Sequence, residues 1–101
     1  MAYLDDLFSV AGKTALVTGA ATGIGRMAAS GLVMGGANVL IASRKGADCA
    51  RVAEELNALG GGRAEGFAGD VSTEEGVLAL AAEVGQRIDR LHILINNAGV
   101  S

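Results

Sequence analysis

Thr18-Gly19-Ala20-Ala21-Thr22-Gly23-Ile24-Gly25 decides how this chain is read, because of what stands on either side of it. Before it runs Lys13 to Thr18 (Lys-Thr-Ala-Leu-Val-Thr), a short apolar stretch with the character of a buried strand. After it, from about Gly23 to Met34, the pattern is that of a helix rich in small residues such as Ala28, Ala29 and Gly31, which predicts close packing on a sheet. A glycine turn between a strand and a helix is the setting of a phosphate-binding loop. Gly19 permits the tight turn, Gly23 removes a Cβ from the path of a ligand, and Gly25 lets the helix lie against the strand. The N–H groups that open the helix, aided by its dipole, then face a pyrophosphate. The spacing is Gly-x3-Gly-x-Gly, not the common Gly-x-Gly-x-x-Gly, and no Gly-Lys-Ser/Thr follows, so a P-loop kinase or ATPase is a poor fit. Taken alone, the turn also fits an ordinary loop or helix cap.

Further along, strand-like runs at Asn38 to Ala42, Ala64 to Ala68 and Leu91 to Asn96 alternate with helical stretches. Cys49, Val52, Ala53, Leu56 and Leu59 form one apolar stripe that stops at Gly60-Gly61-Gly62. Val77, Leu80, Ala81, Val84 and Ile88 form another, introduced by Ser72 and Glu75 as a capping box. Strand and helix alternating in this way predict parallel strands with right-handed crossovers, an α/β doubly wound sheet of Rossmann type truncated to about four strands with three helices. In such sheets a ligand binds beyond the carboxyl ends of the strands. Gly69-Asp70-Val71 and Asn96-Asn97-Ala98-Gly99 fall at two further strand ends.

Composition sets the outer bounds. The chain has 101 residues, 50% hydrophobic and 19% charged, enough for one core and hardly for two. Aromatic residues are only 3%, so Ala, Val, Leu and Ile build the interior. A net charge of −3 with scattered Lys and Arg argues against nucleic acid or an anionic membrane as partner. The start, Met-Ala-Tyr-Leu-Asp-Asp, is acidic where a signal peptide is basic. No run approaches the roughly 18 apolar residues of a membrane span. One cysteine cannot form an internal disulfide, and a cytoplasmic location is the expectation.

Together, Thr18-Gly-x3-Gly-Ile-Gly, Asp70-Val71 and Asn96-Asn97-Ala98-Gly99 resemble a short-chain dehydrogenase/reductase, from about Phe8 to the last residue. The resemblance implies strand order 3-2-1-4 and makes residues 1–101 the N-terminal part of a single dinucleotide-binding domain. It assigns Gly19, Gly23, Ile24 and Gly25 to the pyrophosphate, Asp70 and the Val71 backbone to adenine, and Asn97, Ala98 and Gly99 to the ribose. Asn96 is expected to brace the central strands, and Asp70 is alternatively a helix N-terminal acid. The Phe8-Ser9 segment and the surroundings of Asn96 lean toward 3-oxoacyl reductase-like members.

Strand two ends Ile41-Ala42-Ser43-Arg44-Lys45. An NAD site wants a carboxylate there for the ribose 2′-hydroxyl, and the resemblance puts Ser43 at that position. Arg44 beside it offers paired donors to a 2′-phosphate, so Ser43 and Arg44 point to NADP(H). Thr22 departs from this, since NADP-preferring members often carry a basic residue inside the turn. Arg44 and Lys45 also read as plain solvated loop charges.

The family's Ser and Tyr-x-x-x-Lys are missing: the single tyrosine, Tyr3, has Leu7 four residues on. No catalytic residue is therefore assigned, and the chain is expected to be a fragment or truncated member, inactive by itself. His92 reads as a strand residue beside the core, Cys49 as packing, and no His/Cys cluster suggests zinc. The expectations are an NADP-dependent oxidoreductase acting on a small carbonyl or alcohol, alternatively an NADPH-binding sensor without chemistry, or a structural module that keeps the turn as a relic. Truncation at four strands leaves one sheet edge and part of one face bare, which predicts a homo-oligomer or a marginally stable chain.

Overall fold

Thr14–Thr18 (β1) is buried along its whole length, the mark of a central strand covered on both faces. The computed structural model describes residues 9–19 and 23–97. After β1 come α1 (Gly23–Met34), β2 (Asn38–Ser43), α2 (Gly46–Asn57), β3 (Arg63–Ala68), α3 (Glu74–Arg87) and β4 (Ile93–Asn96). The four strands are parallel in the order β3-β2-β1-β4, as the resemblance implied. Strand limits differ from the sequence reading by one or two residues at an end, as frayed ends do.

Alternation along the strands divides the core into two layers. Ala15, Val17, Val39 and Ile41 join Ala29, Val33, Cys49, Val52, Ala53 and Leu56 beneath α1 and α2. Leu16, Leu40 and Ala42 meet Leu80 of α3 on the other face. Gly66 allows α2 to press onto β3: a Cβ there would stand 2.1 Å from the Cys49 carbonyl oxygen. Asn57 adds a side-chain clasp, its Nδ2 donating to the Ala64 carbonyl at 2.9 Å and its Oδ1 accepting the Ala64 N–H at 2.7 Å. On the α3 side, Arg87 lies 4.3 Å from the centre of the Phe67 ring and pairs with Glu65 and Glu83.

Four expectations need correction. The N-cap of α3 is Thr73, whose Oγ1 accepts the Gly76 N–H at 2.9 Å, and not Ser72, whose hydroxyl and N–H are both spent on Asp70. Gly31 is exposed, and α1 instead packs through Gly25, Ala29 and Val33. Leu59 lies beyond the end of α2 and is 53% exposed. Val77 and Ala81 are exposed too, because α3 reaches over only part of its face. Among the described residues no helix is long and apolar enough to cross a membrane.

Candidate functional site

Parallel pairing brings four strand ends to one edge of the sheet, and the residues singled out in the sequence sit there. Gly19 ends β1 with φ +69°, in the left-handed region that favours glycine, and donates its N–H to the Ala42 carbonyl at 2.9 Å. Gly23 opens α1 with φ +62°, and among the described residues nothing lies within 4 Å of the position its Cβ would take. Ile24 is exposed beside it, and Gly25 is buried on the sheet side. Ala20, Ala21 and Thr22, inside the turn, lie outside the described residues, as do Ala98 and Gly99 and the segment holding Tyr3.

Between the ends of β2 and β3 and the side of α3 lies a recess of about 480 Å³ lined by Arg44, Gly69, Asp70, Leu80 and Glu83 among others. Asp70 accepts the Ser72 hydroxyl at 2.6 Å and the Ser72 N–H at 2.9 Å. These bonds, the hydroxyl's first, hold its carboxyl below the ordinary aspartate range against a small opposing effect of burial, and the charge of Arg44 acts in the same direction. Asp70 and Arg44 both line the recess. Arg44 is exposed and Ser43 half-buried. Val71 is half-buried against the α3 side of the core.

The β4 end is tied to the β1 end. Thr18 Oγ1 donates to Asn96 Oδ1 at 2.8 Å, so Asn96 braces the two central strands. The Asn97 N–H reaches Thr18, and its Nδ2 lies 3.4 Å from the Gly19 carbonyl oxygen, placing Asn97 beside the glycine turn. At the opposite edge His92 bonds β1, its ring Nδ1 accepting the Thr14 N–H at 3.0 Å and its backbone N–H donating to the Thr14 carbonyl at 2.9 Å. That occupies the ring as a strand-pairing device. Cys49 is fully buried. Among the described residues no group of three or more His, Cys, Asp or Glu could hold a metal ion.

The edge suits a dinucleotide on its own terms: two left-handed glycines around a helix start, a carboxylate acceptor, and a cation beside a recess. The asparagine clasp on β3 and the Ser43–Cys49 contact described below were missed in the sequence, where neither residue type in a helix signals its partner.

The profile of the short chain dehydrogenase family matches residues 13–101. Among curated proteins the chain is similar to the rhamnolipids biosynthesis 3-oxoacyl-[acyl-carrier-protein] reductase of Pseudomonas aeruginosa, 47% identical over 94 residues, or 93% of this chain and 36% of that protein. It is similar also to 1-cyclohexenylcarbonyl-CoA reductase of Streptomyces collinus, 42% identical over 88% of this chain and 32% of that protein. Among solved structures, the Pseudomonas aeruginosa RhlG/NADP active-site complex superimposes with a TM-score of 0.85 at 46% identity, covering 91% of this chain and 36% of that one. A hydroxysteroid dehydrogenase from Escherichia coli gives a TM-score of 0.86 at 33% identity, over 94% of this chain and 40% of that one. The chain thus spans 36% or less of the length of these curated relatives.

Proposed function

Since the chain belongs to the short chain dehydrogenase family, we propose that residues 1–101 are the N-terminal part of one dinucleotide-binding domain and hold NADP(H) for an oxidoreductase. The observation that carries this reading is the gathering of Gly19, Gly23, Asp70 and Arg44 at one edge of the sheet, where Arg44 and Asp70 line a recess. Backbone N–H groups at Gly23, Ile24 and Gly25 cradle the diphosphate, and Gly19 turns the chain toward it. Asp70, kept ionised by Ser72, accepts the adenine amino group beside the Val71 backbone. Ser43 and Arg44 take the 2′-phosphate, for which a guanidinium supplies charge and a donor fork. Asn97, Ala98 and Gly99 line the ribose. When bound, the cofactor supplies or accepts the hydride that interconverts a carbonyl and an alcohol.

The similarity to an NADP complex supports the choice of NADP(H), and the similarity to the 3-oxoacyl-[acyl-carrier-protein] reductase supports a carbonyl substrate of 3-oxoacyl type. The 101 residues contain no Tyr-x-x-x-Lys, so the chain by itself binds without turning over. A cytoplasmic setting belongs to the proposal, since the single buried thiol suits a reducing compartment. Self-association belongs to it as well: the α3 side carries an apolar groove of about 660 Å³ lined by Leu16, Val77, Leu80, Val84 and Leu94 among others. A sharp monomer in sedimentation, with cooperative unfolding, would refute that part.

Calorimetric titration of NADPH and NADH against the wild-type chain and Arg44→Ala tests the cofactor reading. Tighter NADPH binding in the wild type, weakened about tenfold or more in Arg44→Ala with NADH unchanged, is expected from the loss of a charged hydrogen bond. Equal affinity for both nucleotides would overturn the NADP preference. Failure to retain either at millimolar concentration would overturn the whole reading.

A further inference from the structure

The corner between β2 and α2 contains a hydrogen-bonded unit that the contacts above do not explain. The Ser43 carbonyl accepts the Gly69 N–H at 2.8 Å, which locks the end of β2 to the end of β3. Its Oγ accepts the Lys45 N–H at 3.1 Å and lies 3.1 Å from the Cys49 Sγ. Cys49 is 0% exposed, and its own N–H donates to the Lys45 carbonyl at 3.1 Å. The corner is therefore held from both ends, while the side chains of Arg44 and Lys45 stay exposed. Lys45 caps α2 without a side-chain hydrogen bond, and Asp48 stands in the first turn of the helix.

A serine oxygen has two lone pairs and one proton. The Lys45 N–H takes one lone pair. If the thiol donates, it takes the second, and the hydroxyl is left with only its proton to offer. If the hydroxyl donates to sulfur instead, its proton is consumed and a lone pair remains to face whatever sits beside Arg44. A phosphate dianion accepts from the first arrangement and is repelled by the second. A ribose 2′-hydroxyl both donates and accepts, and so is served by either.

Resting on the NADP(H) reading, we propose that Cys49 is a positioning residue that sets cofactor specificity: its buried thiol donates to Ser43 Oγ and so presents the Ser43 hydroxyl as a pure donor to the 2′-phosphate. Cys49 itself touches no ligand. Its effect is confined to nucleotides that carry the 2′-phosphate.

The test uses 2′,5′-ADP and 5′-AMP, which differ only in that phosphate, titrated calorimetrically against the whole chain. The wild type is expected to favour 2′,5′-ADP. Cys49→Ala is expected to reduce that preference about fivefold, the size of one ordinary hydrogen bond, here the one that orients the Ser43 hydroxyl, with 5′-AMP affinity unchanged. Cys49→Ser, which keeps a donor, is expected to hold the wild-type ratio within about twofold. Ser43→Ala, at a half-exposed position, reads the same unit without touching the core and is expected to lose at least as much as Cys49→Ala, with no further loss in the double variant. An unchanged ratio in Ser43→Ala or Cys49→Ala, or a parallel fall for both probes, would overturn the inference while leaving the cofactor reading in place. A wild-type chain that retained neither probe would overturn the cofactor reading, and the inference with it.

Discussion

The two faces of the sheet are built from the same strands and end in opposite conditions. Beneath α1 and α2, Val17, Val33, Ile41 and Val52 are all 0% exposed, and Ile93 and Ile95 of β4 pack against that layer. On the α3 side, Leu16, Leu40 and Leu80 keep 5–6% exposure, and Leu94, in register with Leu16, is 61% exposed. Strand composition does not cause this, since β4 is apolar at Ile93, Leu94 and Ile95 alike. The cause is helix count: two helices close one face, and the single helix on the other covers Leu16 and Leu40 but leaves Leu94 of β4 open. Alternation in a strand thus says which residues share a face, and only the helices say whether the face is sealed.

The largest expected effect that sharpens this contrast is at Gly66. A Cβ there meets the Cys49 carbonyl oxygen, which is helix backbone and cannot rotate away. Gly66→Ala is expected to cost more than about 3 kcal/mol in urea unfolding, because α2 must lift from β3. Next, Ile41→Ala on the closed face is expected to cost about 2–5 kcal/mol, and Leu94→Ala on the open face less than about 0.5. Equal losses would break the comparison outright. Thr73→Ala is expected to cost about 1 kcal/mol by removing the α3 cap, and Ser72→Ala clearly less.

The smallest effect is on the acid side of the stability profile. Asp70, lowered by Ser72, and Glu55, lowered first by its bond to Arg26 and also by Arg51, release protons more readily folded than unfolded. Their contributions are fully present above the unfolded carboxylate values, roughly pH 4, and vanish as pH falls through the lower folded values. Asp70→Asn and Glu55→Gln are each expected to lower the melting temperature slightly at neutral pH, where the contribution is present, and to leave it unchanged at the acid end, so that the fall between them is shallower. A steeper acid limb in either variant would contradict the assignment.

Seven elements and their order were legible because each strand is a short continuous apolar run and each break carries glycine or a change of period. The gathering of Gly19, Arg44, Asp70 and Asn97 at one edge followed, since parallel strands put like ends together. What escaped depended on choices among equivalent neighbours. Ser72 and Thr73 are both good caps, and only Asp70's claim on Ser72 decides between them. Gly31 and Ala29 are both small, but only Ala29 falls on the inward side of α1. Val77 and Ala81 share a stripe with Leu80, yet a stripe is buried only where something lies opposite it. The Ser43–Cys49 contact joins a strand end to a helix across six residues, and no periodicity marks it.

The Asn57 amide engages both backbone groups of Ala64 on the outer strand β3, whereas β4 pairs only with β1 among the described residues. A side-chain amide in that position imitates the next strand and ends the ladder. The sheet therefore has a direction of growth. An added strand, from the same polypeptide or another copy, meets free pairing groups beside Ile93–Asn96 among the described residues, and beside β3 must first displace Asn57 from Ala64, which biases edge pairing toward β4.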